Sequence, residues 1–478
     1  MKVYEKIFKV DCFMLVSPDN ATQIINTFQE GNVIISQRTI QAPVNTQALV
    51  QIASLAEADY LCLCLSPELP VLTKHAFERM ISIGESTGAA MIYADYYEQN
   101  ADALIPHPLI DCRKGSLRDD FDFGPLHLYK TAAFKQAVRT MTNDYRYAAL
   151  YDLRLKISLQ APPVHINEYL YTLVQIAHHT QENKFAYVDP KNRTVQIEME
   201  HACTDHLKHL GAYLSPKFNK IDLFGEAFSC EASIVIPVRN RANTIGEAIR
   251  SALSQATNFE YNVIVVDNHS TDGTGEAIAA YSSDPRLINI IPQDTDLGIG
   301  GCWNEAIMHS ACGKFVVQLD SDDRYSSANS LQKIVDAFYE TQSPMIIGAY
   351  QITDINWNQI PPGLIDHREW TYENGRNNAL RINGLGAPRA FFTPLVRQIK
   401  FPNTSYGEDY AMGLRISRDF AIGRIYEVLY DCRRWDGNSD TKLSLQKANE
   451  YNAYKDNLRT WELEARIRKN RHDNKPMD

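Results

Sequence analysis

The sequence predicts an α/β protein with a mostly parallel sheet, and three features carry that expectation. Short apolar runs alternate with stretches of helical periodicity. In the second half the runs are nearly all apolar and β-branched, the pattern of strands buried on both faces. Each of those runs delivers polar residues at its C-terminal end, where open parallel sheets bind ligands. At 478 residues the chain exceeds one ordinary core, so two or three domains are expected.

Residues 1–180 form the first expected domain. Its strands are read at Phe13–Val16, Asn32–Ile35, Tyr60–Leu65 and Ala90–Tyr93, with helical periodicity from Thr46 to Ala56. Residues 181–228 are expected to be a helical connector with an apolar stripe through Met199, Cys203, Leu207, Leu210 and Leu214. His206 and His209 share a face of it. With no third ligand evident, they are read as part of a solvated face rather than a metal pair.

Residues 229–478 form the second domain, ending in a helical segment. A strand at 232–237 leads to a helix opened by Thr244 and Glu247, which have capping-box spacing. A strand at Val263–Val266 ends at Asp267. Another at Leu287–Ile291 leads to a glycine-rich turn, and a fourth at Phe315–Leu319 ends at Asp320.

Bulk composition narrows the classes of function. Apolar residues at 44% and charged residues at 22% are ordinary for a globular protein. A net charge of −10 argues against a nucleic-acid partner but leaves room for a phosphate-bearing substrate, because a bound metal can supply positive charge. The nine cysteines include no CxxC pair, which suits a reduced, cytoplasmic chain. No apolar run reaches eighteen residues, so a lipid-linked acceptor would be met at the inner face of the membrane. The basic run from Arg466 to Lys475 is read as the solvated end of a last helix; the alternative is a weak peripheral tether to an anionic membrane.

Several groups of residues carry chemistry. Asp320, Asp322 and Asp323 crowd three carboxylates after an apolar strand, which is costly without a cation. Asp320 and Asp322 would lie on one side of an extended segment, and oxygen-only ligands favour Mg²⁺ or Mn²⁺. Asp267 can accept hydrogen bonds from a nucleobase or ribose, whereas Asp272 reads as a turn residue. Asn240 follows the first strand in a polar loop where Arg239 could meet a phosphate. Gly298, Gly300 and Gly301 permit close backbone approach but do not have dinucleotide spacing. Glu408 and Asp409 open a helix; either the helix dipole alone explains them, or one is a general base.

Taken together, SIVIPVRNR, VIVVDNHSTDGT, GIGGCWN, VVQLDSDD and GEDYAMGLR, in that order over roughly residues 231–440, resemble the inverting family 2 glycosyltransferases. The resemblance implies a GT-A fold, Rossmann-like with a mostly parallel sheet, for the second domain. It implies a nucleotide-sugar donor, a UDP-sugar by expectation, with Mn²⁺ or Mg²⁺, and a glycan or lipid-linked saccharide as acceptor. Pro237, Asn240 and Asp267 would line the nucleotide pocket, with Gly298 beside the donor. Asp320 would lie near ribose and metal, and Asp322 would bind the metal. Asp409 would take the acceptor proton with Glu408 in support. Arg433 or Arg434 would meet the diphosphate, and Asp436 or Asn438 stands where the family often has a histidine. Departures from the family pattern are Arg239 for an aromatic, Asn268 for a second Asp, and Cys302-Trp303 for Ala-Arg; they bear on the donor more than on the reaction.

The first half reads as a smaller, worn GT-A-like copy. On that reading Ser66 stands for Asp320, Glu68 for Asp322 and Ala148 for Asp409, so the first domain is non-catalytic; a plain α/β accessory domain is the alternative. Two rival functions fit the sequence less well. A sugar-phosphate nucleotidyltransferase would need a glycine-rich loop after the first strand, and none precedes Gly246. A glycan-binding scaffold would have no need of acids at 320, 322 and 409.

Overall fold

The computed structural model describes residues 7–16, 26–41, 43–66, 69–100, 103–174, 189–225, 227–438 and 443–473. The chain divides into two compact units: Met1–Tyr187 with Asn192–Tyr213 and Ser444–Asp478, and Val188–Lys191 with Leu214–Leu443.

The first unit is built on β1 (Phe8–Val16), β2 (Asn26–Glu30), β3 (Val33–Gln41), β4 (Tyr60–Cys64), β5 (Val71–Leu72), β6 (Met91–Asn100), β7 (Ala103–His107), β8 (Leu126–Lys130) and β9 (Val164–Val174). They form one sheet in the order β2-β3-β1-β4-β8-β6-β9-β5, with β7 paired to β6. The central strand β4 is buried along its whole length, which accounts for its unbroken apolar run.

The second unit holds β10 (Ala232–Val238), β11 (Tyr261–Asp267), β12 (Leu287–Ile290), β13 (Phe315–Gln318), β14 (Arg324–Tyr325), β15 (Met345–Thr353), β16 (Gln359–Ile365), β17 (Arg389–Phe392) and β18 (Ile422–Arg433). Their order is β12-β11-β10-β13-β17-β15-β18-β14, with β16 paired to β15. Strands β10 to β13 are parallel, and β17 runs against both β13 and β15. The result is an α/β unit with a mixed sheet whose parallel part places Asp267 and the residues after Gln318 at one edge.

From β1 and β10 onward the two sheets share strand order and pairing directions; the far edge differs, where β2 precedes β3 in the chain and is antiparallel to it, while β12 follows β11 and is parallel to it. The registers match too. Met91 faces Tyr129 as Met345 faces Phe391, and five residues on, Tyr96 faces Tyr171 as Tyr350 faces Tyr430.

Two expectations about domain limits change. The connector helix, Arg193–Leu210, and the terminal helix, Leu445–Asp473, both belong to the first unit, not to a separate connector or to the second domain. Buried charge explains the second placement. Fully buried Arg459 pairs with Asp456 at 2.8 Å, and Asp456 accepts a 2.7 Å hydrogen bond from Ser116. Gly115 lies so close that a Cβ there would stand 2.2 Å from the Thr460 nitrogen. Arg466, expected at a solvated end, is buried against Glu462 at 2.7 Å. The reading of His206 on a solvated face is also overturned. It is buried beside Cys203 and Leu207, and burial pushes its imidazole down to about 3, whereas His209 is exposed.

Candidate active site

The edge of the second sheet brings together the acids that the sequence singles out. β13 ends at Gln318, and Asp320 follows two residues on, just before a turn. Its backbone N–H donates to the Tyr430 hydroxyl at 2.9 Å, and its Oδ1 accepts from Gln318 at 2.8 Å. Burial pushes the Asp320 carboxyl above its ordinary value; Asp322 and Asp409 repel its charge, while Arg389 and the Gln318 hydrogen bond oppose the shift.

Asp322 Oδ2 accepts from the Trp435 indole at 3.0 Å and from Asn438 at 3.1 Å. Asn438 thus reaches the acidic cluster, while Asp436 is exposed. Asp323 is buried and accepts from the Arg433 backbone N–H at 2.7 Å, which ties the cluster to the end of β18. Burial, then the charges of Asp322 and Asp320, push its carboxyl well up.

The helix Glu408–Ser417 supplies the other pair of acids. Asp409 meets Arg389 at 2.9 Å, and its Oδ1 accepts from the Tyr410 N–H at 2.7 Å. Glu408 is 7% exposed, and its Oε2 has no hydrogen-bond partner. Burial, then the charge of Asp409, push its carboxyl up to about 8, so at neutral pH it holds a proton beside a salt-bridged neighbour. Arg389 is the residue that sequence reading missed. It pairs with Asp409 and also feels the charges of Asp320 and Glu408. One guanidinium therefore sits among acids from the two separate motifs, which places Asp320, Glu408 and Asp409 in one electrostatic neighbourhood. Asp322, coupled to Asp320, extends it.

The remaining site residues sit as follows. Asp267 is buried at the end of β11, and its Oδ1 accepts from the Ser270 N–H at 3.0 Å. Asn240, at φ +53°, is tied to the same loop by hydrogen bonds to Ser270 and Thr271. Pro237 is half-buried in β10, and Arg239 is exposed. Asp272 accepts from Ala242 and Thr274, the structural turn role expected of it. Gly298, Gly300 and Gly301 have a packing reason. A Cβ at Gly300 would lie 1.9 Å from the Pro402 carbonyl oxygen, and one at Gly298 2.4 Å from Thr404.

Two contacts differ from expectation. Thr244 makes no side-chain capping bond, and Glu247, read as its capping partner, instead pairs with Arg433. Arg433 is 2% exposed and stacks under Trp357, 3.7 Å from the ring centroid. It is therefore held inside the protein rather than offered to a diphosphate. Among the described residues no group of three or more His, Cys, Asp or Glu side chains is arranged to hold a metal.

Comparison with known proteins bears on what such a cluster is for. The family model of glycosyl transferase family 2 matches residues 233–398. The chain is 25% identical over 231 residues to a poly(ribitol-phosphate) beta-glucosyltransferase of Bacillus spizizenii, an alignment covering 47% of this chain and 36% of that one. It is 23% identical over 203 residues to a putative teichuronic acid biosynthesis glycosyltransferase of Bacillus subtilis, covering 42% and 78%. The chain thus spans about a third of the first relative's length and most of the second's. Among solved structures, S. aureus TarS 1-349 with UDP-GlcNAc is 20% identical at a TM-score of 0.38, covering 49% of this chain and 72% of that one. Residues 233–398, within the α/β unit that carries the acidic cluster, are thus similar to glycosyl transferase family 2.

Proposed function

We propose that the chain transfers a sugar, with inversion, from a nucleoside diphosphate sugar to a hydroxyl of a glycan or lipid-linked saccharide. The observation that carries this is the meeting of Asp320, Glu408 and Asp409 around Arg389.

The acceptor hydroxyl gives its proton to Asp409, whose carboxylate is held in place by Arg389 and the Tyr410 N–H. The acceptor oxygen forms its bond to the anomeric carbon on the face opposite the diphosphate. The bond from that carbon to the diphosphate oxygen breaks, and its electron pair leaves with the phosphate. Glu408, protonated and buried, adds no second negative charge where the acceptor is activated. Asp267 and Asn240 hold the nucleoside, and a UDP-sugar is the first donor to try. Asp320 and Asp322 would hold Mn²⁺ or Mg²⁺, which when bound neutralises the leaving diphosphate.

A panel of UDP- and GDP-sugars with Mn²⁺ should release nucleoside diphosphate. Asp322→Ala should abolish metal-dependent donor binding. Asp409→Asn should leave binding intact and lower kcat by roughly 10²–10⁴. Full turnover in Asp409→Asn would refute its role as base, and release of pyrophosphate instead would indicate a nucleotidyltransferase.

A further inference from the structure

Because the two sheets match in register, each site position in the second unit has a counterpart in the first. The pairings Leu61↔Tyr129 and Leu63↔His127 correspond to Val316↔Phe391 and, one step past the last paired residues, Gln318 beside Arg389. Leu63 thus occupies the place of Gln318, and His127 that of Arg389. Counting on by two residues puts Leu65 at the place of Asp320. The helix Ala149–Ser158 matches Glu408–Ser417 in length. Tyr151 donates to the Leu117 carbonyl at 2.5 Å as Tyr410 donates to that of Ala379 at 2.6 Å. Ala149 and Leu150 therefore stand for Glu408 and Asp409. This register replaces the expected equivalences of Ser66 with Asp320 and Ala148 with Asp409; Glu68 lies outside the described residues.

The comparison separates two kinds of residue. Buried tyrosines at 151 and 171 in the first unit and 410 and 430 in the second occur in both, so they serve the fold. Asp320, Glu408, Asp409 and Arg389 occur only in the second, with Leu65, Ala149, Leu150 and His127 at the matching places. Gln318 belongs with this second set, although it lies in a strand that is otherwise apolar and is 3% exposed. A buried amide in such a strand is costly unless both ends are bonded. Here both are: Nε2 donates to Asp320 Oδ1 at 2.8 Å, and Oε1 accepts from the Arg389 N–H at 3.2 Å.

We infer that Gln318 is a positioning residue that links the donor-side acid Asp320 to Arg389, and through Arg389 to the acceptor-side acid Asp409. This rests on the transferase reading given above. Gln318 touches no reacting atom; it fixes the Asp320 carboxylate and the backbone that carries the guanidinium. The leucine at the matching place in the first unit shows that the strand itself tolerates an apolar side chain.

The test is Gln318→Leu in the full chain, with Gln318→Met as the volume-matched control. Both variants should melt within a few degrees of wild type. Mn²⁺ affinity, read by electron paramagnetic resonance with UDP present, should fall 10–100-fold, the usual cost of losing a partner that orients a metal ligand. Turnover should fall at least tenfold in kcat, and combining Gln318→Leu with Arg389→Lys should cost less than the product of the two separate losses. Wild-type Mn²⁺ affinity in both variants, or losses that multiply independently, would overturn the inference. Wild-type protein that binds Mn²⁺ and UDP yet transfers no sugar would defeat the transferase reading alone, because the metal titration still reads Gln318.

Discussion

Glu408 and Asp409 are adjacent in sequence, yet the fold treats them differently. Asp409 faces Arg389, whereas Glu408 is buried with one oxygen unpaired. The consequence for stability has a definite sign. The Glu408 pKa rises from 4.5 to about 8 on folding, so folded protein binds the proton more tightly. Its contribution is whole below about pH 4.5 and is lost as the pH climbs through about 8. Glu408→Gln, which keeps the shape and removes the charge, should melt several degrees above wild type at pH 9 and close to it at pH 5. A gap that does not widen with pH would show that Glu408 is not the titrating group. The sequence makes Glu408, Asp409, Asp320 and Asp322 visible because acids at a helix start and after an apolar strand stand out locally. Arg389 is not visible, because an arginine opening the short run RAFF has no local signature. Its meaning comes from Asp409, twenty positions on and in a different element.

At the scale of elements, the parallel strands of the second unit are legible from their apolar runs, and β10 to β13 fall within two residues of expectation. The later strands, β14 to β18, carry no such mark. They are short, or form the hairpin of β15 and β16, or run antiparallel with one face mixed, and pairing rather than periodicity defines them. The glycine-rich turn shows the same limit. Glycine at 298, 300 and 301 suggests close approach, but sequence cannot tell a ligand from neighbouring chain, and the neighbour here is the segment 402–404. Gly300→Ala should therefore destabilise the second unit by about 1–3 kcal/mol even with no nucleotide present. A melting curve unchanged by that substitution would mean that the segment can shift aside. The pair of Glu247 and Arg433 was likewise out of reach, since capping-box spacing gave Glu247 a sufficient local explanation.

At the scale of the whole molecule, the terminal helix decides how the first unit is completed. Its buried ions Arg459, Asp456 and Arg466 are satisfied by one another, by Glu462 and by the loop around Ser116. Removing residues 444–478 strips Ser116 of its buried acceptor and uncovers the backbone at Gly115. Breaking buried charge networks of this kind costs about 3–5 kcal/mol. The truncated chain should show one early, broad transition from the first unit and a second, unchanged one from residues 214–443. A single wild-type transition by calorimetry would refute that division. Composition and local pattern could not place this helix, because its polar character fits a solvated tail as well as a docked one, and only the partners on residues 113–118 decide.

The split of the first unit also sets an order of events on the ribosome. Domains generally fold from the N-terminus as they emerge. Here the first unit waits for the helix Leu445–Asp473, which is made only after all of Leu214–Leu443 has been synthesised. The second unit can thus be finished and closed while the first is still short of a wall. Until that helix emerges the nascent chain carries an open groove beside Gly115, which makes the first unit the part most dependent on being shielded.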